Sequence, residues 1–341
     1  MVRTAGGFAL AARSRWRCRR LVILCYHGFA ADEEHRWRPS LFMDAALFRE
    51  RLERLSRLGA QVLPLGDALR RLAAGDLPPC AVCLTTDDGF ADFRTLAYPA
   101  LAAAGVPMTL YYTTWYAGTG VPVFNLMVPY LLWKGRGRRI SLKGILRSAD
   151  GADLRTEPGR EALAARVLDV ARSEHWDLER RQAALRELAG RVHADYDRLL
   201  ERRILQIMAP EDLRALDQRT VSVQLHTHRH RMPRDPGLLG REIEDNRSAI
   251  ARALGSDEPR VHFCYPSGEF HPESTAQLLA LGLESATTCQ PGIAGPGTPP
   301  LLLPRYLDGQ QVSGIEFDAW ISGFVGRVGS LRTGHRRGSG A

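Results

Sequence analysis

Short runs of uninterrupted apolar residues recur along the chain, and each stops abruptly at polar or turn-forming residues. They occupy 21–26 (LVILCY), 81–86 (AVCLTT), 108–112 (MTLYY), 221–226 (VSVQLH), 261–265 (VHFCY), 284–288 (ESATT) and 301–305 (LLLPR). A run this short, without polar alternation, reads as a strand covered on both faces. Between most runs lie segments whose apolar residues return three and four positions apart: 44–60, 99–107, 241–256 and 272–283. That spacing predicts helices, with Gly59 as one stop signal. Strand–helix–strand units with continuously apolar strands predict an α/β fold with a parallel sheet. About seven such units suit a barrel better than an open sheet, which stays open as the alternative.

One stretch breaks the rhythm. Residues from about 115 to 215 carry no convincing buried strand but include a long, charged, helix-forming segment, and they read as a helical insertion between the third and fourth strands. The expected organisation is a basic N-terminal segment at 1–20, a barrel over 21–325 and a disordered tail at 326–341. Within the insertion, "FNLMVPYLLWKGRGRR" (124–139) places apolar and aromatic residues before a basic cluster. That order suits either peripheral contact with a membrane or a packed helix with a solvated basic end.

The 341 residues are 45% hydrophobic and 25% charged, the composition of a globular protein with a sizeable core. The net charge of +8 raises the question of nucleic acid. Lys134 and Lys143 are the only lysines, and the arginines are dispersed among Glu and Asp, so no nucleic-acid partner is expected. The six cysteines lie largely in apolar runs, and Cys80–Cys83 is a lone C-x-x-C, so unpaired thiols in a reducing compartment are expected. The first residues resemble no secretory signal, and "LVILCY" is too short to span a bilayer. The expected location is cytoplasmic, with the inner membrane face as a secondary option.

In parallel α/β folds, ligands bind at the carboxyl ends of the strands. There the sequence gathers Tyr26-His27-Gly28, Asp87-Asp88-Gly89, "HTHRH" (226–230), Tyr265-Pro266-Ser267-Gly268 and Pro304-Arg305. Two adjacent carboxylates repel, but a divalent cation offsets the repulsion when one coordinates it and the other stays free. Imidazoles at His226 and His230 would complete three protein ligands and leave positions open for water or substrate. A bound water would then ionise near a pKa of about 7, and the free carboxylate could take its proton.

These residues resemble the polysaccharide deacetylase family of carbohydrate esterases. "TTDDG" (85–89) is similar to its T-F-D-D-G motif, "HTHRH" to H-[ST]-x-x-H, and "HFCYPSG" (262–268) to an F-x-Y-P-x-G variant of the third motif. The resemblance implies a distorted (β/α)7 barrel that removes acetyl groups from N-acetylated sugars with zinc or a similar ion. The expected cytoplasmic location adds a precursor glycan made inside the cell as the expected substrate, and a lipid-linked one would suit the 124–139 segment. By motif position Asp87 is the catalytic base, and Asp88, His226 and His230 are the metal ligands. The backbone N–H of Tyr265 is implied as a donor to the oxyanion. On a straight strand His228 would share a face with His226 and His230. The motif skips it, which leaves His228 beside the ligands or the substrate.

Two familiar parts are missing. No arginine precedes Tyr265 in the usual R-P-P-Y order, and Arg305 is the candidate to orient Asp87. The late Leu-His pair that would protonate the leaving amine is also absent, and His27 is the candidate replacement. Two other readings stay open: hydrolysis of a small non-sugar amide at the same site, and a catalytically silent carbohydrate-binding descendant.

Overall fold

The computed structural model describes residues 7, 8, 10–146 and 152–325, so the tail expected at 326–341 lies outside the described residues. Its main sheet contains eight strands: β1 (Val22–Tyr26), β2 (Gln61–Val62), β3 (Ala81–Thr86), β4 (Met108–Tyr112), β5 (Val221–Leu225), β6 (His262–Cys264), β7 (Ser285–Thr287) and β8 (Tyr306–Leu307). The order is β7-β6-β5-β4-β3-β1-β8, and every pairing is parallel. The two edges meet at Leu303, whose N–H donates to Ala286 O (2.9 Å) and whose carbonyl accepts from Thr288 N (2.9 Å). β2 pairs with the lower half of β3, at Ala81 and Val82, while β4 pairs with the upper half, at Thr85 and Thr86. The result is an irregular barrel.

Alternation along the strands separates two cores. Ile23, Cys83, Tyr111, Cys264 and Leu303 come from around the barrel and pack together with Leu65 and Ala68. Their neighbours Val22, Leu24, Val82, Leu84 and Leu110 belong to the larger core beneath the helices. Both faces of β1, β3 and β4 are therefore covered, which is why these segments lack polar alternation.

The last strand departs from expectation. Pro300–Leu302 is a turn of 3₁₀ helix, and the strand is Tyr306–Leu307 rather than 301–305. Pro299, Pro300 and Pro304 have no N–H to give a ladder, so pairing is delayed until they are passed. β2 was missed because two residues carry no periodicity. Helices form at Ala45–Arg57, Tyr98–Ala104, Pro236–Leu254 and Ser274–Ala280, in the predicted segments.

Between β4 and β5 lie the helices Phe124–Lys134, Glu157–Ser173, Leu178–Val192, Tyr196–Glu201 and Pro210–Arg214, with a small hairpin of Arg139–Ile140 against Ala152–Asp153. Thr156, Asp177 and Asp195 cap three of them by accepting backbone N–H groups, which divides the long charged stretch into separate helices. Helix Phe124–Lys134 buries Phe124, Met127, Val128, Tyr130, Leu131 and Leu132. Core packing accounts for the hydrophobicity that had suggested a membrane face over 124–139. No described helix is long and apolar enough to cross a membrane. The N-terminal segment is also partly built in: Arg17 is fully buried, and its guanidinium donates to Ile321 O (2.8 Å) and Ala81 O (2.8 Å).

Candidate active site

The inward-facing positions of β1 and β3 continue past their strands to Cys25 and Thr85, then to His27 and Asp87. Those of β6 and the seam reach Cys264 and Arg305. Apolar residues fill the barrel below, and this polar layer closes it above. Asp87 extends the strand, donating its N–H to Tyr26 O at 2.9 Å. At Asp88 the backbone turns left-handed (φ 68°), which sends the second carboxylate elsewhere. Gly89 completes the turn at φ +85°, where an added Cβ would stand 2.3 Å from the Tyr112 ring, so only glycine fits.

Asp87 is buried and held from several sides. Arg305, itself buried, donates from Nη1 to Oδ1 (2.8 Å) and from Nη2 to Oδ2 (2.7 Å). The guanidinium is fixed in turn by Thr85 Oγ1 (3.0 Å) and Thr288 O (2.9 Å). The thiols of Cys264 and Cys25 donate to Asp87 Oδ2 at 3.3 and 3.5 Å. Burial alone would raise the Asp87 pKa, but the charge and hydrogen bonds of Arg305 outweigh it and hold the carboxyl well below the usual carboxylate range. His27 Nε2 lies 3.8 Å from Asp87 Oδ2, and burial lowers the imidazole's pKa.

Asp88 meets the imidazoles instead. Its Oδ1 lies 3.4 Å from His226 Nε2 and 3.3 Å from His230 Nε2. Burial pushes its pKa up, but His230 and His226 pull it further down, to about 2. His226 Nδ1 is 2.9 Å from the Cys264 carbonyl, which can only accept, so Nδ1 carries a proton and Nε2 is the nitrogen turned to Asp88. Asn246 accepts from His226 N (2.9 Å) and donates to Tyr112 O (2.9 Å), tying β5 to β4 beneath the ligand.

The donor set fits a divalent cation. Ligand atoms about 2.0–2.2 Å from a tetrahedral ion stand about 3.3–3.6 Å apart, close to the separations observed around Asp88. Two other groups of potential ligands, Cys25–His27–Asp87 and Asp87–His226–Cys264, depend on Asp87, whose oxygens are already committed to a guanidinium.

His228 goes elsewhere. β5 ends at Leu225, and Thr227 adopts a left-handed φ of 59° that turns the chain out of the strand. The His228 ring points to Thr114 Oγ1 (Nδ1 at 2.7 Å) and meets Trp115 edge-on at 5.5 Å. His230, also left-handed (φ 53°), brings its ring back to Asp88. Tyr265 lines the cavity, but its backbone N–H donates to Thr287 O at 3.2 Å and is not free for an oxyanion.

Among the sequence-derived candidates the structure gathers Asp87, Asp88, His27, His226, His230 and Arg305 at one mouth of the barrel, and Tyr265 joins the wall. Asn246, Cys25 and Cys264 were missed. Asn246 stands on a buried helix face with Leu239, Ile243, Ile250 and Ala253, where Glu242 is the other polar residue, and a polar residue in such a stripe is a readable signal. The thiols gave none, because a buried Cys inside a strand looks like core.

No family model and no curated protein matches the chain. Solved structures do, and they define a class: the chain has the fold of polysaccharide deacetylases. A Streptococcus pyogenes deacetylase, PplD, solved in complex with acetate, is 18% identical, with a TM-score of 0.56 over 87% of this chain and 96% of that one. IcaB from Ammonifex degensii is 16% identical, with a TM-score of 0.54 over 89% and 97%. A de-N-acetylase from Aggregatibacter actinomycetemcomitans is 15% identical, with a TM-score of 0.54 over 88% and 99%.

Proposed function

We propose that the protein is a metal-dependent deacetylase that hydrolyses the N-acetyl group of an N-acetylhexosamine unit in an oligo- or polysaccharide. The observation that carries this reading is the division of labour between neighbouring acids: Asp88 faces two imidazoles at ligand spacing, while Asp87 is paired with Arg305. Asp88, His226 and His230 would hold the cation, and zinc suits two nitrogens and one oxygen. When bound, the ion supplies Lewis acidity to water and to the amide carbonyl.

The chain's own residues do the rest. Asp87 takes the proton released as water attacks the acetyl carbon. Arg305 holds that carboxylate ionised and oriented through both oxygens. His27, 3.8 Å from Asp87, would relay the proton that Asp87 has taken from the water to the departing amine. The Tyr265 N–H has no part in this scheme, since Thr287 occupies it. The likeness to deacetylases, the acetate-bound one included, supports the reading.

The test is acetate release from chito-oligosaccharides by protein stripped with chelator and then reloaded with zinc. Release that depends on zinc and is lost in Asp88→Ala supports the proposal. Full activity after stripping, or activity only on small non-sugar amides, would overturn it.

A further inference from the structure

The cavity at the acids does not end at the barrel. It encloses about 940 Å³ and continues beneath the insertion, where Phe124, Leu126, Leu168, Trp176 and Leu178 supply an apolar wall. A hexosamine bears polar groups on most of its carbons and gains little from such a surface. The same cavity is lined by Arg38, Arg172, Arg181, Arg229 and Arg231, and besides the Asp87–Asp88 pair Asp177 is the one acid in that lining. Asp177 is spent on capping the helix it precedes, accepting from Arg180 N at 2.8 Å.

Two of these arginines are neutralised, Arg172 by Asp169 (3.1 Å) and Arg229 by Glu242 (3.1 Å). Among the described residues Arg181 and Arg231 form no ion pair, and Arg38 has the charge of Glu161 nearby but no carboxylate within 4 Å. Arg181 is the most telling. One of its terminal nitrogens reaches the Tyr116 hydroxyl (3.3 Å), its buried Nε has no hydrogen-bond partner, and its guanidinium lies 5.6 Å from the Phe124 ring centre. A guanidinium with one unsatisfied buried N–H and no carboxylate partner is thus set against the apolar wall.

We propose that the insertion binds the non-sugar end of the substrate: a long hydrocarbon chain joined to the N-acetylated sugar through phosphate. The hydrocarbon lies along Leu126, Leu168 and Trp176, and the phosphate meets the unpaired arginines. A carboxylic ester linkage would be neutral and leave them unanswered, whereas a phosphodiester keeps its charge and suits a guanidinium fork. This rests on the deacetylase reading for the sugar end and adds the ligand for the other.

Dodecyl phosphate below its micelle concentration is the probe, titrated against full-length protein by tryptophan fluorescence. It binds, and Leu168→Glu and Arg181→Gln each weaken it about tenfold, the scale of losing two buried methylenes or a charge-assisted pair. In acetate-release assays N-acetylglucosaminyl dodecyl phosphate shows a KM about tenfold or more below that of a chito-oligosaccharide, and Leu168→Glu raises the first KM far more than the second. Absence of dodecyl phosphate binding, or binding indifferent to both substitutions, overturns the proposal. Protein that binds the probe in this way but deacetylates no sugar keeps the lipid-phosphate site and refutes the deacetylase reading; active protein that ignores the probe does the reverse.

Discussion

Arg305→Met is the sharpest perturbation of this site. It removes both hydrogen bonds to Asp87, together with those to Thr85, Thr288 and Cys264, and leaves a fully buried carboxylate without its countercharge. Breaking a buried pair from one side costs about 3–5 kcal/mol, a large share of an ordinary domain's stability. The sign of the pH dependence follows from the same contacts. In the native protein the Asp87 pKa is depressed, so its contribution is present above the unfolded value of about 3.9 and is lost as pH falls through the folded value. Without Arg305, burial, the largest cause, is opposed only by His27, His226 and the two thiols, and the folded pKa should lie above the unfolded one. The variant should therefore gain stability as pH falls from neutral toward about 4, where the native form binds the proton and the unfolded form does not. Urea unfolding across that range measures both effects. Asp87→Asn combined with Arg305→Met should cost less than the sum of the single changes, by about 2–3 kcal/mol. A single-variant cost below about 1 kcal/mol, the scale of an exposed ion pair, with no pH trend, would refute this account of the buried pair.

Three further outcomes are expected. Asp87→Asn should retain metal and lose about 10²–10⁴ in kcat, measured by metal analysis alongside acetate release; loss of the metal would mean the two acids have exchanged roles. Asn246→Ala, which touches no proposed ligand side chain but frees the His226 backbone, should lower metal affinity about 10–100-fold in competition with a chelator. Lys134 joins Asp32 (2.5 Å) and Glu33 (2.8 Å) across the insertion boundary. Burial works to raise the Asp32 pKa, but the Lys134 contact prevails and lowers it, and Lys134 lowers that of Glu33 as well. Lys134→Met should then cost about 1 kcal/mol or less at neutral pH. In thermal melts that difference should shrink as pH falls below the unfolded carboxylate values and vanish once pH has passed the lower folded ones.

Much of the fold was legible because the buried strands are apolar without interruption and end in turn residues. β1, β3 and β4 needed nothing more, and the parity that puts Asp87 inside the barrel with Cys83 and Thr85 can be counted from the sequence. The last strand was misplaced because Leu301–Leu303 has strand-like composition while the flanking prolines forbid the ladder. Arg305 could be proposed from its place beyond a strand, but its bidentate grip on Asp87 is a long-range contact that no local pattern encodes. The direction of His228 was likewise hidden. It depends on a left-handed φ at Thr227, a β-branched residue that local preference would keep extended. Asn246 and the two thiols act through partners far away in the chain.

The seam at Leu303 gives the barrel a timetable. Arg305 reaches Asp87 only once the segment from Leu303 to Leu307 has bridged β7 to β1, so ring closure and charge neutralisation are one event. During synthesis the acids are made more than two hundred residues before the arginine that tames them. An unfinished chain therefore lacks the countercharge of its two neighbouring acids, and completing the wall is what brings it to them.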